Sequence, residues 1–324
     1  MQNFEQFFLA ETGLKLKKDV ALSDYSSFKI GGPARYFVEV NSLDQLVKAV
    51  SAVSSGCFPF YLIGGGYNLL FDDAGFDGLI IRNKALAINY FAERGLLEVD
   101  SGSDLQQVVR LAVSKGLAGL EFLAGIPGTV GGAIYGNAGA FGQSIGEKVS
   151  EVLIFNRERQ LVTLKQSELG FGYRFSNLKK DHQIIIKALL TVEPGDKSDI
   201  DNRIKDYLEQ RSRKHPPRSV ACAGSYFKNP VLPDGQRLAA GRLLEKSGAR
   251  GMQVGGAAVY SGHCNFIINL GGATARDVKE LAHRLQEAVH QNFGLWLEEE
   301  VIFFQQMFQC FNLIRAESSL LSHF

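Results

Sequence analysis

The chain has 324 residues, enough for two or three packed units, since domains commonly run to ~100–200 residues. Its 35 Lys and Arg stand against 34 Asp and Glu, so no basic or acidic field points to a nucleic acid or a membrane surface. The start, Met1-Gln2-Asn3-Phe4-Glu5-Gln6, has no basic stretch followed by an apolar one, and no apolar run approaches the ~18 residues of a membrane span. The expectation is a cytoplasmic monomer acting on a small molecule, with no nucleic acid or membrane partner. Cys57, Cys222, Cys264 and Cys310 are far apart with no CxxC spacing, which predicts buried free thiols and no metal site.

In chain order, Phe37-Val38-Glu39-Val40 reads as a strand, and Ser42-Leu43-Asp44-Gln45 as a capping box. Behind the box, Leu46, Val47, Val50 and Val53 repeat at helical spacing up to Gly56. Tyr61-Leu62-Ile63 runs into Gly64-Gly65-Gly66-Tyr67-Asn68, a loop whose missing Cβ atoms let successive N–H groups converge on an anion. Leu79-Ile80-Ile81 and Leu96-Leu97-Glu98-Val99 read as strands. Ser103-Asp104-Leu105-Gln106 reads as a second capping box, ahead of a helix carrying Val108, Val109 and Ala112 and stopping at Gly116. A second glycine-rich loop follows at Gly125-Ile126-Pro127-Gly128-Thr129-Val130-Gly131-Gly132. Either loop alone reads as a tight turn; two of them could hold any diphosphate.

Val152-Leu153-Ile154-Phe155 and Ile184-Ile185-Ile186 are further strands, and the turn-rich Glu193-Pro194-Gly195-Asp196-Lys197-Ser198 marks a boundary. Beyond it lies a helix with an apolar stripe of Ile200, Ile204, Tyr207 and Leu208. Its basic last turn, Arg211, Arg213 and Lys214, either complements the helix dipole or faces a nucleotide diphosphate, and Pro216 and Pro217 end it. Thr274 starts a long helix whose Val278, Leu281, Ala282, Leu285, Ala288, Val289 and Phe293 form one core face. The pattern is α+β, without the strand, GxGxxG and helix unit of a Rossmann fold. Glu298 and Glu300 share one face of an extended segment and Glu299 takes the other. Taken alone, Ser225 is a turn residue beside Gly224 and Arg174 a surface arginine; Phe227 stands where a GxSxG elbow needs its second glycine, so an acyl-transfer nucleophile is not expected.

The two loops, together with Ser27-Phe28-Lys29-Ile30-Gly31-Gly32-Pro33-Ala34-Arg35 and Asn137-Ala138-Gly139-Ala140-Phe141-Gly142, resemble the flavin domain of the UDP-N-acetylenolpyruvoylglucosamine reductase (MurB) family. The resemblance continues in order through Tyr173-Arg174-Phe175-Ser176, Gly224-Ser225-Tyr226-Phe227-Lys228-Asn229-Pro230, His263-Cys264-Asn265-Phe266 and Leu297-Glu298-Glu299-Glu300-Val301, so it spans roughly residues 20–301. It implies an FAD-binding domain of the PCMH/vanillyl-alcohol-oxidase type over 1–197, with a core of two α+β subdomains at about 28–193. A C-terminal α+β substrate domain would take 198–302, and an extension of no evident role 303–324.

The resemblance also implies function. NADPH would reduce non-covalently bound FAD, and hydride would then pass to UDP-N-acetylglucosamine enolpyruvate, giving UDP-N-acetylmuramate for peptidoglycan. Gly64, Gly65, Gly66, Asn68, Gly125, Ile126, Gly128, Thr129 and Asn137 would bind the cofactor; neither loop holds a His or Cys for covalent attachment. Arg174 would hold the substrate carboxylate, Ser225 would donate the proton, and Glu300, with Glu298 as the alternative, would stabilise the developing charge. Tyr173, Lys228 and Asn229 would line the substrate site. One departure is Tyr67, where the family has serine. Type I members carry an extra folded insertion, for which the interval from Pro230 to His263 leaves no room, so a type II form is expected. A different flavin oxidoreductase would need the glycine loops but not the Gly224 to Pro230 run, and a non-catalytic flavin module would have lost a catalytic group.

Overall fold

A computed structural model describes residues 4–304; Cys310 and the extension from residue 305 onward lie outside the described residues. The first unit is a sheet in the order Lys17–Ala21, Pro33–Val40, Phe76–Asn83, Phe60–Ile63. Its inner strands run parallel, and both faces are covered, as parallel strands require. Helices α1 (Phe4–Thr12) and α2 (Leu43–Ser55) cover one face, over Tyr36, Val38, Val40, Leu79 and Ile81. On the other, Phe37, Ile80 and Phe71 pack together with Ala34, which a register shift between Ala34 and Tyr36 brings to that side. Ser42 caps α2 by accepting from Gln45 N–H, but the Gln45 side chain accepts from Asn41 N–H, one residue before the partner a capping box would use.

The second unit is a fully antiparallel sheet, Leu161–Lys165, Val149–Phe155, Ile184–Thr191, Leu96–Asp100, Ile88–Phe91. It packs against α3 (Leu105–Ser114), α4 (Val130–Tyr135) and the short α5 (Asn177–Lys180). Helix α3 is capped by Asp104, which accepts from Gln107 N–H; the expected box beginning at Ser103 is therefore out by one residue, and Gln106 is released for another task. Gly116 has φ +65 and ends that helix as expected. Helix α6 (Lys197–Ser212) buries Ile200 and packs Ile204 and Tyr207 against this same core, whereas the boundary expected at 197/198 assigns it to the substrate domain. Leu208, expected in the stripe, is exposed.

The third unit sets the sheet Ala221–Cys222, Ile267–Asn269, Ala257–Val259, Gln253–Val254 against α7 (Ala240–Lys246) and α8 (Ala275–Phe293). Val278, Leu281, Ala282, Leu285 and Val289 line its core. Phe293 is 39% exposed and Ala288 half-buried; the face is completed by Gln286, whose amide donates to Leu297 O at 2.8 Å. Phe28, Ile30 and Leu70 of the first unit enter this core. Asp73 accepts from the N–H groups of Ala275 and Arg276, so a first-unit carboxylate sits at the positive end of α8. The chain then returns to the first unit, where Ile302–Phe304 pairs in parallel with Leu69–Phe71. The buried-thiol expectation holds for Cys264 alone of the three described: Cys57 is exposed and Cys222 half-buried. Among the described residues, no helix is long and apolar enough to cross a membrane, and no cluster of His, Cys, Asp or Glu could hold a metal.

Candidate active site

The two glycine loops meet face to face. A Cβ on Gly64 would lie 2.3 Å from Thr129 Oγ1, and one on Gly65 would lie 2.7 Å from the Tyr67 ring and 3.4 Å from Gly128 Cα. Gly66 (φ +70), Gly125 (φ +79) and Gly128 (φ +124) all adopt conformations that L side chains resist. The main-chain N–H groups of Gly65, Gly66, Gly128 and Thr129 donate to no acceptor among the described residues, which leaves them for an anion. Beside them a cavity of about 200 Å³ is lined by Gly64, Gly65, Tyr67, Lys84, Gly128 and Thr129, among others. Tyr67, 43% exposed, lays its ring over Gly65. This close-packed, side-chain-free cradle fits a dinucleotide pyrophosphate.

Other residues expected at the cofactor do something different with their side chains. Asn68 Nδ2 donates to Glu300 O at 3.1 Å, tying the first loop to the third unit. Asn137 is buried at φ +45; its amide donates to Gly172 O at 2.8 Å and accepts from Gly146 N–H at 3.0 Å, so its side chain is spent on scaffolding. Thr129 caps α4, accepting from Gly132 N–H. The peptides around Ile126 are held by Gln106, a residue the sequence patterning assigned to a helix cap.

At the junction of the second and third units, Arg174 Nε lies 2.5 Å from Glu300 Oε1, and its Nη1 donates to Gly139 O at 3.2 Å. Arg174 has φ +54, a conformation that costs a non-glycine residue and recurs at functional sites. Glu300 N–H donates to Tyr226 O at 2.7 Å and Lys228 N–H to Glu298 O at 2.8 Å, so the Ser225 to Lys228 run is laced antiparallel to the glutamates. The alternation expected for them is present. Glu298, with its side chain 72% exposed, pairs with Lys228; Glu299 turns away to Lys279 at 3.0 Å; Glu300, 18% exposed, pairs with Arg174. Burial pushes the Glu300 carboxyl above its usual pKa, against the pull of Arg174, Lys228 and Lys179.

Ser225 is half-buried beside this ladder, and its hydroxyl is hydrogen-bonded to none of the described residues. Tyr173 lies between two guanidiniums, Arg174 at 5.5 Å and Arg237 at 4.8 Å from its ring centre, and its hydroxyl accepts from Asn229 N–H. The Asn229 side chain accepts from Ala240 N–H and caps α7, which has no cap of its own. Further cations face the same junction. Burial and the nearby Lys228 hold the Lys179 ammonium below its usual pKa, and burial and Arg174 do the same for Arg211. Arg211 projects from the end of α6 over the Phe141 ring and against Gly125, and its buried Nε has no hydrogen-bond partner among the described residues. Lys179 and Arg237 carry no sequence signal that would single them out, whereas the basic turn containing Arg211 was visible as such. Together these groups concentrate positive charge at the junction, which suits a ligand with a carboxylate and a diphosphate.

Comparison with known proteins finds two matching regions. A model of the UDP-N-acetylenolpyruvoylglucosamine reductase C-terminal domain matches residues 215–304, and an FAD binding domain model matches 34–158. UDP-N-acetylenolpyruvoylglucosamine reductase of Geobacter metallireducens is 39% identical over 292 residues, 90% of this chain and 95% of the relative. That of Caldicellulosiruptor saccharolyticus is 36% identical over 297 residues, 91% of this chain and 94% of the relative. Among solved structures, the reductase (MurB) from Thermus caldophilus superposes with a TM-score of 0.76 at 34% identity, covering 90% of this chain and all of that one. The chain belongs to the UDP-N-acetylenolpyruvoylglucosamine reductase family, with an α+β FAD-binding domain ahead of the family's C-terminal domain.

Proposed function

We propose that the chain reduces the enolpyruvyl ether of UDP-N-acetylglucosamine to the lactyl ether of UDP-N-acetylmuramate, with Arg174, Glu300 and Ser225 as its catalytic groups. The observation that carries this is the half-buried Arg174–Glu300 pair, stitched through Glu300 N–H and Tyr226 O to the backbone that bears Ser225. The main-chain N–H groups of the two glycine loops would hold the pyrophosphate of FAD, which when bound would supply the redox chemistry, hydride from NADPH passed on to C3 of the enolpyruvyl double bond. Addition at C3 drives the electron pair through C2 toward the substrate carboxylate. The Arg174 fork holds that carboxylate, and Glu300, paired with Arg174 at its edge, is the hydrogen-bonding partner placed where charge develops. Ser225 then gives its proton to C2, with Lys228 supplying positive charge nearby.

Both metabolites, a UDP-sugar and NADPH, belong to the cytoplasm, which supports a cytoplasmic enzyme, and the near-balanced charge of the chain supports the absence of a nucleic acid partner. The interval from Pro230 to His263 is occupied by α7 and the strands Gln253–Val254 and Ala257–Val259, which supports a type II substrate site without an inserted unit.

Splitting the two half-reactions of Ser225→Ala tests the assignment. Bleaching of the flavin by NADPH persists, while reoxidation by the enolpyruvyl substrate slows by ~10²-fold or more, the scale of a lost general acid. Reoxidation within a few-fold of the parent removes Ser225 from the mechanism, and protein that takes up no FAD ends the flavoenzyme reading.

A further inference from the structure

Gln106 lies in the first turn of α3, half-buried, where a long polar side chain has no packing role of its own. Its amide instead crosses to the second glycine loop. Nε2 donates to Leu123 O at 2.9 Å and to Ile126 O at 2.6 Å, and Oε1 accepts from Gly125 N–H at 2.8 Å. One side chain therefore closes both carbonyls and the N–H of a turn whose glycine sits at φ +79. The neighbouring backbone continues the pattern: Leu105 N–H donates to Gly128 O, while Ser103 O and Ser101 O accept from Val130 and Gly131. From the other side, Leu208 and Arg211 of α6 lie 3.1 and 3.0 Å from where a Cβ on Gly125 would stand.

We propose that Gln106 is a positioning residue for the flavin: it fixes the 123–126 turn so that the following Gly128 and Thr129 N–H groups are presented to the pyrophosphate before the cofactor arrives. This rests on the second loop holding that pyrophosphate. The turn offers two acceptors and one donor within reach of a single site, and an amide is the one side chain of this size with the matching two donors and one acceptor. A carboxylate matches the N–H but opposes both carbonyls, and it adds negative charge beside a phosphate site. An isosteric apolar chain keeps the volume and loses all three bonds. Gly125 N–H and Ile126 O would lose their partner, while Leu123 O keeps the Ile126 N–H; the loop would then relax, and FAD would have to order it on binding.

The test titrates FAD into apoprotein, following flavin fluorescence, for the parent, Gln106→Met, Gln106→Glu and the control Val109→Ala, with apoprotein melting measured in parallel. Val109 packs in the core from the same helix, so its truncation loosens α3 while leaving the three hydrogen bonds of the Gln106 amide in place. The expected result is FAD affinity lowered about 10- to 100-fold in Gln106→Met, the scale of losing two or three hydrogen bonds, against a change within about 3-fold in Val109→Ala. Gln106→Glu binds weakly at neutral pH and recovers as acid protonates its carboxyl and restores a donor. The proposal is overturned if Gln106→Met keeps the parent affinity within about 3-fold, or if it and Val109→Ala lose affinity alike. Parent apoprotein that takes up no FAD overturns both this role and the flavin reading beneath it.

Discussion

Glu298, Glu299 and Glu300 are chemically identical, and the surroundings give each a separate occupation: a surface pair with Lys228, a clamp on Lys279 and a buried partner for Arg174. Strand alternation was enough to put Glu298 and Glu300 on one face, but the choice between them depends on burial, which local spacing does not carry. Lys179 and Arg237 are illegible for the same reason, because they reach the cleft from α5 and from the segment ahead of α7. The raised pKa of Glu300 has a thermodynamic consequence. Above the usual 4.5 of glutamate and up to its own higher value, the folded protein holds a proton that the unfolded chain has released, so stability falls as pH rises through that window. Glu300→Gln removes this slope. Its unfolding free energy relative to the parent should climb with pH in urea titrations run from pH ~4 to ~7, and a flat difference would mean that the carboxyl titrates normally.

At the scale of the element, the first glycine loop shows why three adjacent glycines are needed. Gly66 carries the tightest constraint: a Cβ there would lie 1.9 Å from Tyr25 O, in a residue already at φ +70. Gly66→Ala should therefore cost about 2–4 kcal/mol in denaturant unfolding and impair FAD uptake, since either the loop or the Leu22–Tyr25 turn must move. A variant of parental stability would show that the loop yields easily. The inner strands of the first two sheets and the cores of the long helices were legible from periodicity, and Thr274 does cap α8. The misread details share one cause. Gln106 and Gln286 carry helical spacing, yet each leaves its helix to satisfy a distant carbonyl, and nothing in the local pattern records where that carbonyl will be.

Across the whole molecule, the three cores are not consecutive blocks of chain. Phe155, Ile184 and Ile186 pack into the first unit, Phe28 and Ile30 into the third, and Phe304 back into the first. Phe304 is 7% exposed, with its ring centre 4.4 Å from that of Tyr61 and 4.9 Å from that of Phe76. Phe304→Ala should cost about 2–4 kcal/mol of stability, measured by thermal or urea unfolding, the scale of emptying a buried aromatic site near a chain end. Because Ile302 N–H donates to Asn68 O, the same change should slow turnover by loosening the strand that Glu300 leads into. A loss below about 0.5 kcal/mol would mark that strand as incidental. The return of Ile302–Phe304 to the first unit also sets a timetable. A ribosome completes residues 96–192, and most of the second core, well before it reaches Phe304, whereas the first unit waits for its closing aromatic until nearly three hundred residues later than its opening helix. A nascent chain arrested before Glu300 would thus lack that acid and the seal of the first core together, with Leu69–Phe71 left without its strand partner and the Phe76 ring without Phe304 against it.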